Sequence, residues 1–266
     1  MSGRTRVTSR VGLWLLVAAS VVPMLGCGSV AGPLRAGRTD VEREQLIKPG
    51  TFGNNAAADR RRGFFDFWNE QVIREDVAVS TVFMGDSITE LWQLGVYFVP
   101  SDGLILNRGI SGDLATHMAK RFQADVVQLH PRQVVILAGT NDVARMSSGG
   151  KTDEEIITSV TTSVQDMMGQ ARAAGIRVLV CSILPTNSDT KNHEPKARIL
   201  PQINEKLRAA CTEQGAIYVD YAEEMRDDQG ALLKDLARDG LHPHYAGYRI
   251  MADALKEVAA RHGLRL

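Results

Sequence analysis

The chain has 266 residues, 44% hydrophobic and 23% charged, and its 31 basic and 31 acidic side chains cancel at pH 7. That length and balance suit one substantial hydrophobic core, and a zero net charge gives no basic field for holding nucleic acid. With no Cys-x-x-Cys and no His-Glu-x-x-His in the sequence, neither a metal nor another cofactor is expected.

At the amino terminus Arg4, Arg6 and Arg10 precede an apolar run from Val11 to Leu25, broken only by Gly12, Ser20 and Pro23. A spanning helix needs about 20 apolar residues. This run has the size of a signal-peptide core, so residues 1–26 are expected to be a signal peptide. The run ends at Met24-Leu25-Gly26-Cys27, which resembles the lipobox of bacterial lipoproteins. It departs from that pattern at Met24, where leucine is commoner, and at Leu25, which is larger than usual. The resemblance implies that Cys27 is lipidated and attaches an exported protein to a bacterial envelope membrane. A plain secretory signal with a fortuitous cysteine would instead leave it secreted or periplasmic. Removing residues 1–26 takes away three arginines and no acid, leaving a net charge of −3.

Residues 27–58 are rich in Gly, Ala and Arg with little periodicity, and are expected to be a poorly ordered tether. The domain is expected over 59–266. Arg60 to Arg74 has amphipathic helical spacing, and its aromatics Phe64, Phe65, Phe67 and Trp68 are expected to pack on the domain. Strands follow at Val79–Met84, Leu104–Asn107, Gln133–Ala138, Arg177–Ile183 and Ala216–Val219. Helices are expected at Leu114–Leu129, Asp153–Ala174, Lys196–Gln214 and Tyr248–His262, with Pro201 an interruption or a late start. Thr186–Pro195 reads as a polar loop. Strands alternating with helices imply a single α/β domain, a parallel sheet with helices on both faces. Cys181 lies in an apolar run and reads as a buried thiol. A Cys181–Cys211 disulfide stays open at this stage.

Four short motifs fall at strand ends or in loops: Gly85-Asp86-Ser87, then Asn107-Arg108-Gly109-Ile110-Ser111-Gly112-Asp113, then Gly139-Thr140-Asn141-Asp142, then Asp239-Gly240-Leu241-His242-Pro243. Each is weak singly, but in this order they resemble the SGNH, or GDSL, hydrolase family over about residues 79–262. The Gly-Ile-Ser-Gly-Asp block and the Trp92 region look closest to the branch resembling platelet-activating-factor acetylhydrolase and bacterial sugar-ester deacetylases. The resemblance implies a flavodoxin-like three-layer fold with about five parallel strands, and an esterase or acylhydrolase.

Ester hydrolysis needs a nucleophile, a base, an orienter for the base and donors for the oxyanion. Ser87 is the candidate nucleophile, His242 the base, and Asp239, three residues earlier, its orienter. His244 is a rival base, read as a loop residue. By resemblance, the oxyanion donors are the backbone N–H groups of Ser87 and Gly112 and the side-chain amide of Asn141. Losing one such donor typically costs about 10²–10³ in turnover. Asp86 reads as a turn residue, and Asn107, Arg108, Asp113 and Asp142 as scaffolding, with Arg108 also a candidate contact for a polar substrate. Free imidazole titrates near pH 6.5, so a histidine base implies activity that falls below about pH 6–6.5.

The expected reaction is serine-esterase hydrolysis through an acyl-enzyme. The expected substrate is a small-molecule or glycan ester, foremost O-acetyl groups on carbohydrate or envelope glycan. A lipid or thioester acylhydrolase is the alternative, and a non-catalytic binding lipoprotein on the same fold the second. A nucleotide or flavin binder is disfavoured because the phosphate-binding glycine motifs are absent from the sequence. An α/β-hydrolase is disfavoured because Ser87 lacks the Gly-x-Ser-x-Gly elbow.

Overall fold

β1 (Val79–Gly85) is buried along its whole length, as a β-branched and aromatic run at the middle of a covered sheet must be. In the computed structural model, which describes residues 46–53, 56–100 and 102–266, it is an interior member of a five-stranded parallel sheet. The other strands are β2 (Leu104–Gly109), β3 (Gln133–Leu137), β4 (Arg177–Cys181) and β5 (Ile217–Val219). Their order is β2-β1-β3-β4-β5. The connection from the end of β1 runs to β2 on one side and that from the end of β3 to β4 on the other, which opens a crevice at the carboxyl ends of β1 and β3. Gly85 pairs with both Gly109 and Leu137, so three strands end level there.

The helices are α1 (Ala57–Arg74), α2 (Ser87–Glu90), α3 (Leu94–Tyr97), α4 (Ala115–Asp125), α5 (Thr140–Ser148), α6 (Asp153–Ala173), α7 (His193–Gln214), α8 (Ala222–Met225) and α9 (Tyr245–Arg261). Alternating strand residues feed two cores. Val82, Met84, Val134, Ile136, Val178 and Val180 pack with residues of α4, α6 and α7. Phe83, Val135, Leu137, Leu179 and Cys181 face the other way, onto Trp92, Phe98, Tyr221 and the Tyr248, Met251 and Leu255 stripe of α9. This is the three-layer α/β fold the sequence implied. Thr152 and Glu155 close a capping box at the start of α6.

Several expectations need correction. The helix expected over 114–129 stops at Asp125, because the Ala124 carbonyl accepts from the side chains of Asn69 (3.0 Å) and Gln128 (2.6 Å), where a continuing helix would use the Gln128 backbone. α7 begins at His193 and runs through Pro201. The carbonyl that Pro201 leaves unpaired belongs to Ala197, an exposed residue open to solvent. α9 begins at Tyr245, capped by the His244 ring. Of the α1 aromatics only Phe65 is buried, since the inward stripe is Ala58, Phe65, Asn69, Val72 and Ile73; Phe64, Phe67 and Trp68 fall outside it. Cys181 and Cys211 are both buried free thiols, each pushed up to about 12 by burial.

Residues 46–53, expected within the tether, lie against the domain. Ile47 exchanges two 3.0 Å hydrogen bonds with the Gln128 side chain, Arg62 bonds the Pro49 carbonyl, and Asp59 accepts from the Phe52 and Gly53 amides. Residues 1–45, with the signal-peptide and Cys27 readings, lie outside the described residues. Among the described residues no helix is long and apolar enough to cross a membrane.

Candidate active site

Ser87 is the first residue of α2, directly beyond the end of β1. Asp86 caps the helix: its Oδ1 accepts from the Ile88 amide at 2.9 Å. The helix start leaves the Ser87 N–H without an intrahelical acceptor. Two contacts fix this turn. A Cβ on Gly109 would stand 2.2 Å from the Glu90 amide nitrogen, so only glycine lets β2 approach α2. Tyr248 Oη donates to the Ile88 carbonyl at 2.8 Å, tying α9 to the serine's helix.

His242 reaches the same point from a loop 155 positions later in sequence, with Nε2 at 2.9 Å from Ser87 Oγ. Its Nδ1 lies 2.6 Å from Asp239 Oδ2. Asp239 Oδ1 also accepts from the backbone amides of Leu241 (3.1 Å) and His242 (2.8 Å), so one tight turn orients both side chains. Burial acts to raise the Asp239 pKa, but the hydrogen bonds from the His242 ring and the two amides outweigh it and hold the carboxyl below its ordinary range. An ionised Asp239 accepts a hydrogen bond from Nδ1–H and so fixes the tautomer, which leaves the Nε2 lone pair facing the Ser87 hydroxyl. His244 is turned away as the cap of α9, its Nδ1 accepting from the Ala246 amide at 3.3 Å.

Gly112 lies in the turn after β2, closed by the Asp113 amide on the Ile110 carbonyl at 3.0 Å. Its φ of +80° is the left-handed conformation that a type II turn requires at this place. Asn141 opens α5 at the end of β3, and its Nδ2 donates to the Asp113 carbonyl (3.1 Å) and, more weakly, to Asp86 Oδ2 (3.3 Å). Both amide hydrogens are therefore engaged within the protein.

Behind this surface three buried carboxylates converge. Asp86 is raised to about 7 by burial, with Asp142 and Asp113 adding repulsion; Asp142 is raised to about 6, also by burial first, with Asp113 adding. Asp142 accepts from the Ala115 amide through both oxygens (3.2 and 3.1 Å) and so starts α4. Arg121 counters the cluster, with Nε on Asp113 at 2.9 Å and Nη1 on Asp125 at 2.8 Å. Arg108 is no substrate contact: it is 4% exposed, donates to Asn69 Oδ1 at 2.6 Å and stacks 4.9 Å from the Phe65 ring centroid. Asn107 is likewise internal, donating to the Thr89 carbonyl at 2.7 Å.

A pH prediction follows. A carboxyl whose folded pKa is raised favours folding while protonated, and that contribution is lost as pH rises from the unfolded value near 3.8 through about 6 for Asp142 and about 7 for Asp86. Asp142→Asn keeps an acceptor for Ala115 without the ionisation. Its melting temperature should fall less than that of the wild type between pH 5 and pH 8, by a few degrees. Parallel melting curves across that range would refute the effect.

The sequence matches the model of the GDSL-like lipase/acylhydrolase family over residues 83–250, more than half of the chain. The chain belongs to this family. It is a carboxylic ester hydrolase of the GDSL type. An acetylxylan esterase from Geobacillus stearothermophilus is 24% identical over 204 residues, covering 66% of this chain and 92% of that protein. A GDSL-like lipase of solved structure from Bacteroides thetaiotaomicron is 25% identical, with a TM-score of 0.58 over 84% of this chain and 96% of that one. A solved catalytic mutant of an acetylxylan esterase from G. stearothermophilus, altered at a histidine, superposes with a TM-score of 0.56 at 20% identity, covering 68% and 94% of the two chains.

Further residues bear on the GDSL site that the four motifs do not single out. Asn187 holds the Asp239–His242 loop: its amide nitrogen donates to the Gly240 carbonyl (3.1 Å) and its side chain to the Leu232 carbonyl (3.1 Å). Arg145, one turn along α5 from Asn141, puts a guanidinium nitrogen 3.1 Å from where a Gly112 Cβ would stand, bringing positive charge to the rim. Tyr245, three residues after His242, is 63% exposed and packs on Tyr97 with ring centroids 5.8 Å apart. A tyrosine at a helix start and an arginine on an amphipathic helix carry no signal of these positions in the sequence.

Proposed function

We propose that Ser87, His242 and Asp239 form the catalytic relay of an exported serine esterase that removes acyl groups through an acyl-enzyme. The observation that carries this reading is the unbroken run of hydrogen bonds from Ser87 Oγ through both His242 nitrogens to Asp239. Ser87 Oγ attacks the ester carbonyl carbon as His242 Nε2 takes its proton. The oxyanion is held by the Ser87 and Gly112 N–H groups and by Asn141, whose 3.3 Å bond to Asp86 is the weaker of its two and the one an oxyanion replaces. The carbon–oxygen bond to the alcohol breaks, and His242 returns the proton to the departing alkoxide. Water, deprotonated by His242, then cleaves the acyl-serine and releases the acid.

O-acetyl groups on carbohydrate or envelope glycan are the substrate class we favour. The relatives named as acetylxylan esterases support it. So does the exposed Tyr245 ring, three residues after His242 and packed on Tyr97, an apolar surface of the kind that can take a sugar ring. We further infer export by residues 1–26 and attachment to the envelope membrane through lipidated Cys27. The test is the chain-length ranking of p-nitrophenyl acetate, butyrate and octanoate, together with acetate release from acetylated xylooligosaccharides. Acetate should exceed octanoate in kcat/KM by about tenfold or more, and the oligosaccharide should be deacetylated. Preference for octanoate would favour a lipid acylhydrolase. A folded protein inactive on all of them would favour a binding role.

A further inference from the structure

The outward face of α1 carries Phe64, Phe67 and Trp68 at 56%, 56% and 47% exposure. Their rings meet edge to face, with centroids 6.1 Å apart for Phe64–Trp68 and 5.7 Å for Phe67–Trp68. Exposed apolar residues scattered singly are ordinary, but three adjoining aromatics form a patch. Exposed Arg60 and Arg61 bound it at one end of the helix and Arg74 at the other. Arg61, which also pairs with Glu90 at 2.8 Å, lies 5.6 Å from the Phe64 ring centroid. Aromatic rings between arginines are the composition of helices that settle at a membrane–water interface. The arginines complement anionic headgroups.

The path of the chain points the same way. Pro49, Phe52 and Gly53 are clipped to α1 through Arg62 and Asp59, and Ile47 is held by Gln128, whose side chain shares the Ala124 carbonyl with Asn69 of α1, so the described chain begins beside this helix. Residues 28–45 reach at most about 60 Å when extended and about 25 Å as a coil. Both lengths keep α1 within reach of the bilayer that would hold a lipidated Cys27.

We propose that the Phe64–Phe67–Trp68 face of α1 docks on a bilayer containing anionic lipid and holds the domain against the membrane. The proposal rests on the lipid-anchor reading of Cys27, and the test separates the two. The tryptophans of the chain are Trp14, Trp68 and Trp92, and Trp92 is buried. The protein isolated from the membranes of a bacterial host that expresses the full sequence, with Trp14→Phe so that any retained leader is silent, is mixed with phosphatidylcholine–phosphatidylglycerol vesicles whose phosphatidylcholine is brominated. Flotation reads attachment, and quenching reads contact. The Trp68 emission, obtained by subtracting a Trp68→Phe variant, should fall at least about twofold while Trp92 emission holds. Arg60→Glu with Arg74→Glu should weaken the quenching. Phe67→Ser should weaken it too while leaving hydrolysis of a soluble ester unchanged, which shows the variant is folded. A chain that floats with Trp68 quenched no more than Trp92 overturns the docking face and leaves the anchor standing. A chain that does not float overturns both. A dimer in detergent that Phe67→Ser dissociates, with Trp68 unquenched on vesicles, assigns the face to a second copy and overturns the proposal.

Discussion

Ser87→Ala should lower kcat on p-nitrophenyl acetate by about 10⁴–10⁶ while KM changes little. The serine hydroxyl is the group that forms the acyl bond in the proposed reaction, so its loss removes the covalent route and leaves only the oxyanion donors and binding contacts. The fold should survive. Ser87 is partly exposed, and the cap of α2 is the Asp86 side chain, which the substitution does not touch. A melting temperature near that of the wild type beside a collapse in turnover is the expected signature. Equal turnover in the two proteins would remove Ser87 from the chemistry.

The largest effect on stability is expected at Arg121. This side chain is 0% exposed and spends its guanidinium on two carboxylates and two carbonyls: Asp113, Asp125, Gly85 (3.2 Å) and Arg108 (2.9 Å). It therefore ties the carboxyl ends of β1 and β2 to α4, just beneath Ser87. Arg121→Ala leaves Asp113 and Asp125 buried without their cation, next to Asp86 and Asp142, which already sit above the ordinary carboxylate range through burial first and repulsion from neighbouring carboxylates second. Breaking one side of a buried ion pair costs about 3–5 kcal/mol, or roughly 6–20 °C in a domain of this size. Arg121→Lys should recover only part of the loss, because one ammonium cannot reach four acceptors spread around a planar fork. Urea unfolding measures this directly. A change below about 1 kcal/mol would show that the cluster relaxes or protonates without harm.

Arg121 also marks where the sequence stops being legible. In Ala119-Lys120-Arg121-Phe122-Gln123-Ala124-Asp125, an arginine four residues before an aspartate reads as a surface pair. Only the tertiary fold turns that pair inward. β1 and β3 were readable because a fully covered strand is apolar on both faces. The four motifs were readable because each ends a strand or sits in a turn whose backbone demands glycine or a capping residue. The segment 220–238, between the last strand and the fourth motif, was not readable. Its course is set by long-range bonds, such as the Leu232 amide on the Thr186 carbonyl (3.1 Å) and the Ala237–Pro243 bridge, which have no local periodicity. The outward aromatics of α1 misled for a related reason: hydrophobic identity places a residue inside only where its helical phase agrees, and the phase here favours Phe65.

The most direct measurement is the intact mass of the protein, quenched in acid within the first turnovers of p-nitrophenyl acetate, followed by peptide mapping. One added acetyl group is expected on Ser87, absent from Ser87→Ala and strongly reduced in His242→Ala. An acetyl group on another residue, or turnover that persists in Ser87→Ala with no acyl-protein formed, would contradict it.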